Sequence, residues 1–374
     1  MRYLIPEIRR ILREENKMAF VAGPRQVGKT TMVRAVLKEA KSEWGYFNWD
    51  IEKHRKAIIK RPDDFWSADP SGQIPSHLVL DEIHKYPRWK RFLKGLYDAA
   101  DGRVKLMVTG SGRLDVYQRG GDSLFGRYGL YHLHPFSVGE LLAPNRDSVS
   151  PPDTCMKSIL AGSAPSGAQE ALELLETFTG FPEPLFAANV GRLRRWRSSR
   201  HHLVLREDLR DLTRIREIGL IETLVSILPE RIGSPLSLNA LRLDLGVAFG
   251  SVRDWVQALA RLFYLFEIRP FAGKLSRALR REAKVYLFDG SEIPAAGARF
   301  ENLVALHLLK ACAIWSERGD GEFRLHYVRD KEKREADFLV TSDRKPWLLI
   351  EAKNSEMDVA PSLEYFRARL TPLH

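Results

Sequence analysis

The sequence predicts an α/β fold that opens with a parallel sheet sandwiched by helices. The apolar runs Met18–Ala22, His77–Leu80 and Val104–Val108 are too continuous for half-exposed strands and read as buried parallel ones. Each is followed by polar or glycine residues and then by a segment of helical periodicity. Strands alternating with helices place a site at the carboxyl ends of the strands.

The bulk properties bound what surrounds that sheet. A chain of 374 residues exceeds one ordinary core, so two or three domains are expected. Hydrophobic content of 44% and charged content of 29% describe a water-soluble globular protein. Lys and Arg number 59 against 48 Asp and Glu, a formal charge of +11. Such a balance favours a polyanionic partner, DNA or RNA first, although a nucleotide site or a plain basic surface gives the same sign. Cys155 and Cys312 are too few for a disulfide framework or a zinc cluster, which fits a reducing cytoplasm. The stretch Met1–Glu7 has no apolar signal core, and no uncharged run reaches the ~18 residues of a membrane helix.

Taken in order, residues 3–16 read as an amphipathic helix with Leu4, Ile8, Ile11 and Leu12 on one face. The first strand then runs into Gly23-Pro24-Arg25-Gln26-Val27-Gly28-Lys29-Thr30, with Thr31 opening a helix to about Ala40. The spacing G-x-x-x-x-G-K-T is that of a phosphate-binding loop, the P-loop. Its glycines let main-chain N–H groups turn inward on a phosphate chain, and the helix N-terminus adds positive potential. Lys29 is expected on the β- and γ-phosphates and the Thr30 hydroxyl on Mg²⁺, so ATP and Mg²⁺ are the expected ligands.

Residues 44–49 read as a second strand ending at Asp50, with helical segments over 52–67. The run His77-Leu78-Val79-Leu80-Asp81-Glu82 is a Walker B pattern. Asp81 is expected to hold the metal shell, and Glu82 to orient and deprotonate the attacking water. A helix over 89–100 leads to a strand ending Thr109-Gly110-Ser111, where Thr109 or Ser111 is placed to sense the γ-phosphate. Arg127 stands where an arginine finger would project toward a neighbouring subunit's phosphate, or serves as an ordinary surface arginine.

Together, Gly-Pro-Arg-Gln-Val-Gly-Lys-Thr-Thr, Leu-Asp-Glu-Ile-His, Thr-Gly-Ser and Gly-Arg with Leu-His-Pro-Phe-Ser resemble a family of prokaryotic AAA+-type ATPases over about residues 1–142. The resemblance implies an ATPase domain that continues into a C-terminal region of unassigned function. That region resembles a winged helix joined to a restriction-endonuclease-like fold. The expected domains are 1–143 for the ATPase, 144–168 as a linker rich in Pro, Ser, Asp and Gly, 169–290 for a helical and winged-helix region, and 291–374 for a small α/β domain.

Within the helical region, Arg192, Arg194, Arg195, Arg197 and Arg200 form either a phosphate-contacting or a solvated helical face. A helix over 221–228, a second over 236–241 ending at Gly246 and a third over 252–265 capped by Ser251 follow the order of a helix-turn-helix. Residues 266–269 and 283–288 would pair as a wing whose tip carries Lys274, Arg277, Arg280, Arg281 and Lys284, suited to DNA or to protein docking.

The last constellation is Glu301 on a helix, Asp337 on a strand, and Glu351 with Lys353 on the next. The pattern D…E-x-K matches the restriction-endonuclease-like fold. Alternation puts Glu351 and Lys353 on one face. Asp337 and Glu351 would share a second divalent ion with Glu301 nearby, and Lys353 would assist at the phosphate. Many such domains keep the fold as a binding or scaffold module instead.

The composite expectation is a cytoplasmic Mg²⁺-dependent ATPase whose nucleotide state governs how a basic C-terminal region binds duplex DNA. A signalling or scaffold ATPase that binds a protein partner is one alternative, and an ATP-regulated metal-dependent nuclease another. An arginine finger acting in trans would require a homo-oligomer; no membrane partner is expected.

Overall fold

Met18–Ala22 is buried along its whole length and forms β1, the second-to-last strand of a five-stranded parallel sheet ordered β2-β3-β4-β1-β5. Its neighbours are β2 (Tyr46–Asn48), β3 (His77–Asp81), β4 (Lys105–Thr109) and β5 (Tyr128–His132). The computed structural model describes residues 2–68, 74–110, 114, 124–143, 149–162, 164–212, 217–272, 282–355 and 358–374. These form two compact units, residues 1–134 with 143–149, and residues 135–142 with 150–374.

In the first unit, α1 (Ile5–Arg13) buries Ile5, Ile8, Ile11 and Leu12 at helical spacing. The helices α2 (Lys29–Glu39), α3 (Glu52–Lys60) and α4 (Trp89–Ala100) follow β1, β2 and β3. Register fixes the working edge: Asn48 is opposite Asp81, and Asp81 opposite Thr109, so three polar residues stand side by side at the carboxyl ends of β2, β3 and β4. The strand expected over 44–49 is shorter, because Trp44 lies in a single turn of 3₁₀-helix before Tyr46.

The second compact unit includes residues 135–142, the end of the expected ATPase stretch. Residues 135–142 pack against the long helix Ala296–Arg318. Buried Lys310 donates to the Pro135 carbonyl at 3.0 Å and the Ser137 hydroxyl at 3.0 Å, and pairs with Glu140. His307 Nε2 accepts from the Val138 amide at 3.1 Å. Nor is 149–162 a plain linker. Its Pro-Pro-Asp sequence is first-turn composition for the helix Pro152–Leu160, which buries Met156.

Three helices, Ile218–Ile227, Leu238–Leu245 and Phe249–Arg261, precede the antiparallel pair β6 (Leu265–Pro270) and β7 (Lys284–Leu287). The Ser237 side chain caps the second helix by accepting from the Ala240 amide, and Gly246 ends it at φ 66°. Ser251 does not cap the third; that helix starts two residues earlier, at Phe249. Pro235 bridges to Lys284 between the first and second helices. The strands β8 (Phe323–Arg329), β9 (Glu335–Ser342) and β10 (Lys345–Ile350) extend one sheet, ordered β10-β9-β8-β6-β7, in which β6 and β8 run parallel. That sheet crosses the expected boundary at 290. Among the described residues no helix is long and apolar enough to cross a membrane.

Candidate nucleotide site and a second carboxylate cluster

The loop after β1 is shaped by backbone that tolerates few side chains. Gly23 has φ 150°, and a Cβ there would lie 2.4 Å from the Leu133 carbonyl oxygen. Gly28, at φ 98°, is the left-handed residue from which α2 springs. Between them Val27 is buried and its carbonyl accepts from Arg2 Nη1 at 2.9 Å; Arg2 also donates to the His134 carbonyl. Lys29 is buried, with Nζ donating to the carbonyls of Gly23 at 2.9 Å and Pro24 at 2.8 Å. The ammonium therefore lies across the mouth of its own loop. Thr31, next along α2, is exposed.

Asp81 is the hub. Its Oδ2 accepts from the Thr30 hydroxyl at 2.8 Å, the Tyr46 hydroxyl at 2.6 Å and the Asn48 amide at 3.3 Å. Its Oδ1 accepts from Thr109. The hydroxyl of Thr30 with the carboxylate of Asp81 is an all-oxygen donor set, and it fits a hard divalent ion such as Mg²⁺.

Glu82 follows in the left-handed region at φ 58°, unusual for a residue with a side chain, and is held by its amide donating to the Thr109 carbonyl at 2.9 Å. Lys85 lies 3.5 Å from the Glu82 carboxylate and His84 3.6 Å. Burial lifts the Glu82 carboxyl above the usual range, against the pull of Lys29 and Lys85.

Arg127 sits at the other end of the sheet. Its carbonyl accepts from the amide of Met18, the first residue of β1, and its Nε reaches Asp98 at 3.1 Å. The length of β1 separates it from the P-loop of its own chain. Ser111 lies outside the described residues.

Sequence reasoning missed Tyr46, Asn48 and Arg2. The period of two on β2 was the available signal for the first pair, since it puts two polar side chains of a short strand on one face. Arg2 carried no signal.

The C-terminal residues assemble differently from expectation. The last strand ends at Ile350, so Glu351 and Lys353 lie beyond it and pair with each other at 2.8 Å. Asp337 Oδ2 accepts from the Ala352 amide at 2.9 Å. Glu301 accepts from the Tyr286 hydroxyl at 2.7 Å. Among the described residues no three carboxylate, imidazole or thiol groups form a metal-binding cluster. Asp337 and the Glu351 segment are brought together, with Glu351 Oε2 buried and without a hydrogen-bond partner, but the described carboxylates do not form a three-ligand set for the divalent ion that the resemblance implies.

Two further expectations change. Lys284 is not at an exposed tip but 1% accessible, and Lys274, Arg277, Arg280 and Arg281 lie outside the described residues. Of the five arginines between 192 and 200, only Arg192, Arg194 and Arg195 are exposed. Arg197 donates to the Ser291 hydroxyl at 2.9 Å, and Arg200 is buried with its guanidinium 4.6 Å from the Phe181 ring centroid.

Residues 15–142 match a family described as an AAA domain. Residues 169–296 and 296–373 match two families described as domains of unknown function, DUF8612 and DUF4143. The chain is 22% identical over 345 residues to uncharacterized proteins of Mycobacterium tuberculosis (Rv2008c) and Mycobacterium bovis (Mb2031c), covering 88% of this chain and 69% of each of them. Among solved structures it is similar to the Orc1 protein of Aeropyrum pernix in complex with DNA, at TM-score 0.34 and 15% identity over 82% of this chain and 93% of that one. It is also similar to the replication initiator DnaA bound to AMPPCP and single-stranded DNA, at TM-score 0.28 and 13% identity over 67% and 85%. The sheet order, the loop and the AAA match together make the N-terminal part an AAA+-type P-loop domain.

Proposed function

We propose that the chain is a Mg²⁺-dependent ATPase whose nucleotide state is coupled to the binding of duplex DNA by its second unit. One observation carries the ATPase reading. A carboxylate at the end of β3 is held by the helix-α2 threonine beside the P-loop, and the next residue is an acid in a left-handed turn.

The loop amides of residues 23–30, with Arg25, Gln26 and Thr31 at its rim, would enclose the phosphates of ATP. Lys29 would exchange its loop carbonyls for phosphate oxygens, a better partner for an ammonium. Thr30 and Asp81 would hold Mg²⁺, which supplies charge neutralisation at the β- and γ-phosphates when bound. Glu82, made more basic by burial, would take a proton from the attacking water at its carboxylate. Thr109 would report γ-phosphate loss through its bond to Asp81. Arg127, at the far edge of the sheet, could serve as a finger only for a neighbouring chain's site, which requires self-association.

The DNA half of the reading rests on the formal charge of +11, on exposed Arg192, Arg194 and Arg195 along one helix, and on the winged-helix order of three helices and a hairpin, with Arg253 and Arg261 exposed on the third helix. The test is steady-state ATP turnover with and without duplex DNA at two salt concentrations and several protein concentrations. Stimulation that fades with salt supports the reading. ATP turnover indifferent to DNA at both salts would overturn the DNA coupling and favour a protein partner; absent turnover would overturn the whole.

A further inference from the structure

Three elements of the second unit converge on one ammonium carried by a fourth. Lys284, the first residue of β7, sends Nζ to Glu335 on β9 at 2.6 Å, to Glu301 on the long helix at 3.4 Å and to Asp337 on β9 at 3.9 Å. On another side the Tyr327 ring of β8 lies 5.6 Å away. Every carboxylate in the group has a second donor. Glu301 accepts from Tyr286, Glu335 lies 3.2 Å from Arg329 Nη1, and Asp337 accepts from the Ala352 amide. Glu351 is turned to Lys353.

We propose that Lys284 is the resident cation of this pocket, standing where a nuclease-like site would hold a divalent ion, so that the pocket takes neither Mg²⁺ nor Mn²⁺. Three arguments support it. A dication needs about six oxygens at 2.0–2.6 Å, and Glu301 Oε1, Glu335 Oε1 and Asp337 Oδ2 already face N–H or O–H donors, leaving Glu351 Oε2 as a buried oxygen without one. An ammonium fixed among them repels a second cation, and at 1% accessibility it is poorly screened. The lysine is also held in place. Its backbone is laddered to Ile268 on one side and bridged to Pro235 on the other. Gly233 closes over Glu301, where even an added Cβ would sit 2.8 Å from Oε2. Burial opposes the charge on Lys284, but Glu301, Glu335 and Asp337 together raise its pKa above the ordinary lysine value. The ammonium thus ties β7 to β9 and the long helix. This inference is independent of the ATPase reading, and its test uses nucleotide-free protein.

Mn²⁺ binding to the full chain is followed by electron paramagnetic resonance for the wild type, Asp337→Asn, Lys284→Ala and the double variant. Wild type and Asp337→Asn should bind alike. Lys284→Ala should melt at a lower temperature and gain one Mn²⁺ site at least about tenfold tighter than anything in the wild type. Mn²⁺ should recover part of the lost melting temperature, and the double variant should lose the new site. Wild-type Mn²⁺ binding abolished by Asp337→Asn would overturn the proposal, as would Lys284→Ala that melts with the wild type. If Lys284→Ala does not fold, the wild-type and Asp337→Asn pair decides alone, and Lys284→Met gives the melting comparison.

Discussion

The two carboxylate centres of this chain use the same residue types to opposite ends. Around Asp81 the donors are neutral: two hydroxyls on Oδ2 from Thr30 and Tyr46, an amide from Asn48, and the Thr109 hydroxyl on Oδ1. With donors of that kind, Asp81 and Thr30 would hold a divalent ion, as proposed. Around Glu301, Glu335 and Asp337 the cation is already present in Lys284. A motif of acids therefore does not define a metal centre; what decides is whether the fold supplies its own positive charge.

The largest effect expected from breaking this contrast is at Lys29. Lys29→Ala should abolish nucleotide binding, read by calorimetry with Mg²⁺ and ATP, since it removes the one ammonium that lies within the loop. Next is Glu82→Gln. It keeps the shape and the loop, so ATP should still bind while turnover falls roughly 10²–10⁴-fold. Turnover at the wild-type rate would remove Glu82 from the base role.

The pH dependence separates the two units in kind. Burial raises the Glu82 carboxyl, so the acid limb of kcat should lie above the ordinary glutamate range, where protonation removes the base. His307 behaves oppositely. It is enclosed, with Nδ1 donating to the Leu303 carbonyl at 2.8 Å and Nε2 accepting from Val138, a neutral tautomer with both nitrogens used. Burial lowers its pKa from 6.5 to about 4, with Lys310 adding to the effect. The unfolded chain therefore binds this proton first. The stability this residue contributes is full above pH 6.5 and declines as pH falls toward 4, by up to about 3 kcal/mol at 1.36 kcal/mol per unit. Urea melts at pH 7 and pH 4.5 should show the loss, and His307→Gln should flatten it.

The smallest effect is Tyr46→Phe, which removes one donor from Asp81 and nothing from the loop. About a tenfold loss in turnover or in Mg²⁺ affinity is expected, the size typical of residues that orient a metal ligand. A change confined to thermal stability would make Tyr46 structural only.

These contrasts also explain what could be read from the chain. The P-loop was legible because its geometry demands particular residues at fixed spacing: Gly23 where a carbonyl leaves no room and Gly28 where φ is positive. Asp81, Glu82 and Thr109 were legible because buried strands announce their ends. The lysine in the C-terminal pocket was not. Lys284 stands in sequence beside a run of basic residues and looked like one of them, yet its partners lie 17 to 53 positions further along. Arg200 misled in the same way, since an arginine on a polar helix face gives no sign that three aromatic rings enclose it. Likewise, nothing local in residues 135–142, at the end of the AAA match, announces that Lys310 and His307 of a helix far along the chain bind them. Long-range charge pairing leaves no local pattern.

The contrast is tested most directly by counting Mn²⁺ per chain in the presence of a non-hydrolysable ATP analogue, for the wild type, Asp81→Asn and Asp337→Asn. One tightly bound ion, weakened or lost in Asp81→Asn and untouched in Asp337→Asn, is the predicted result. A second ion that disappears with Asp337→Asn, or a single ion indifferent to Asp81→Asn, would contradict it.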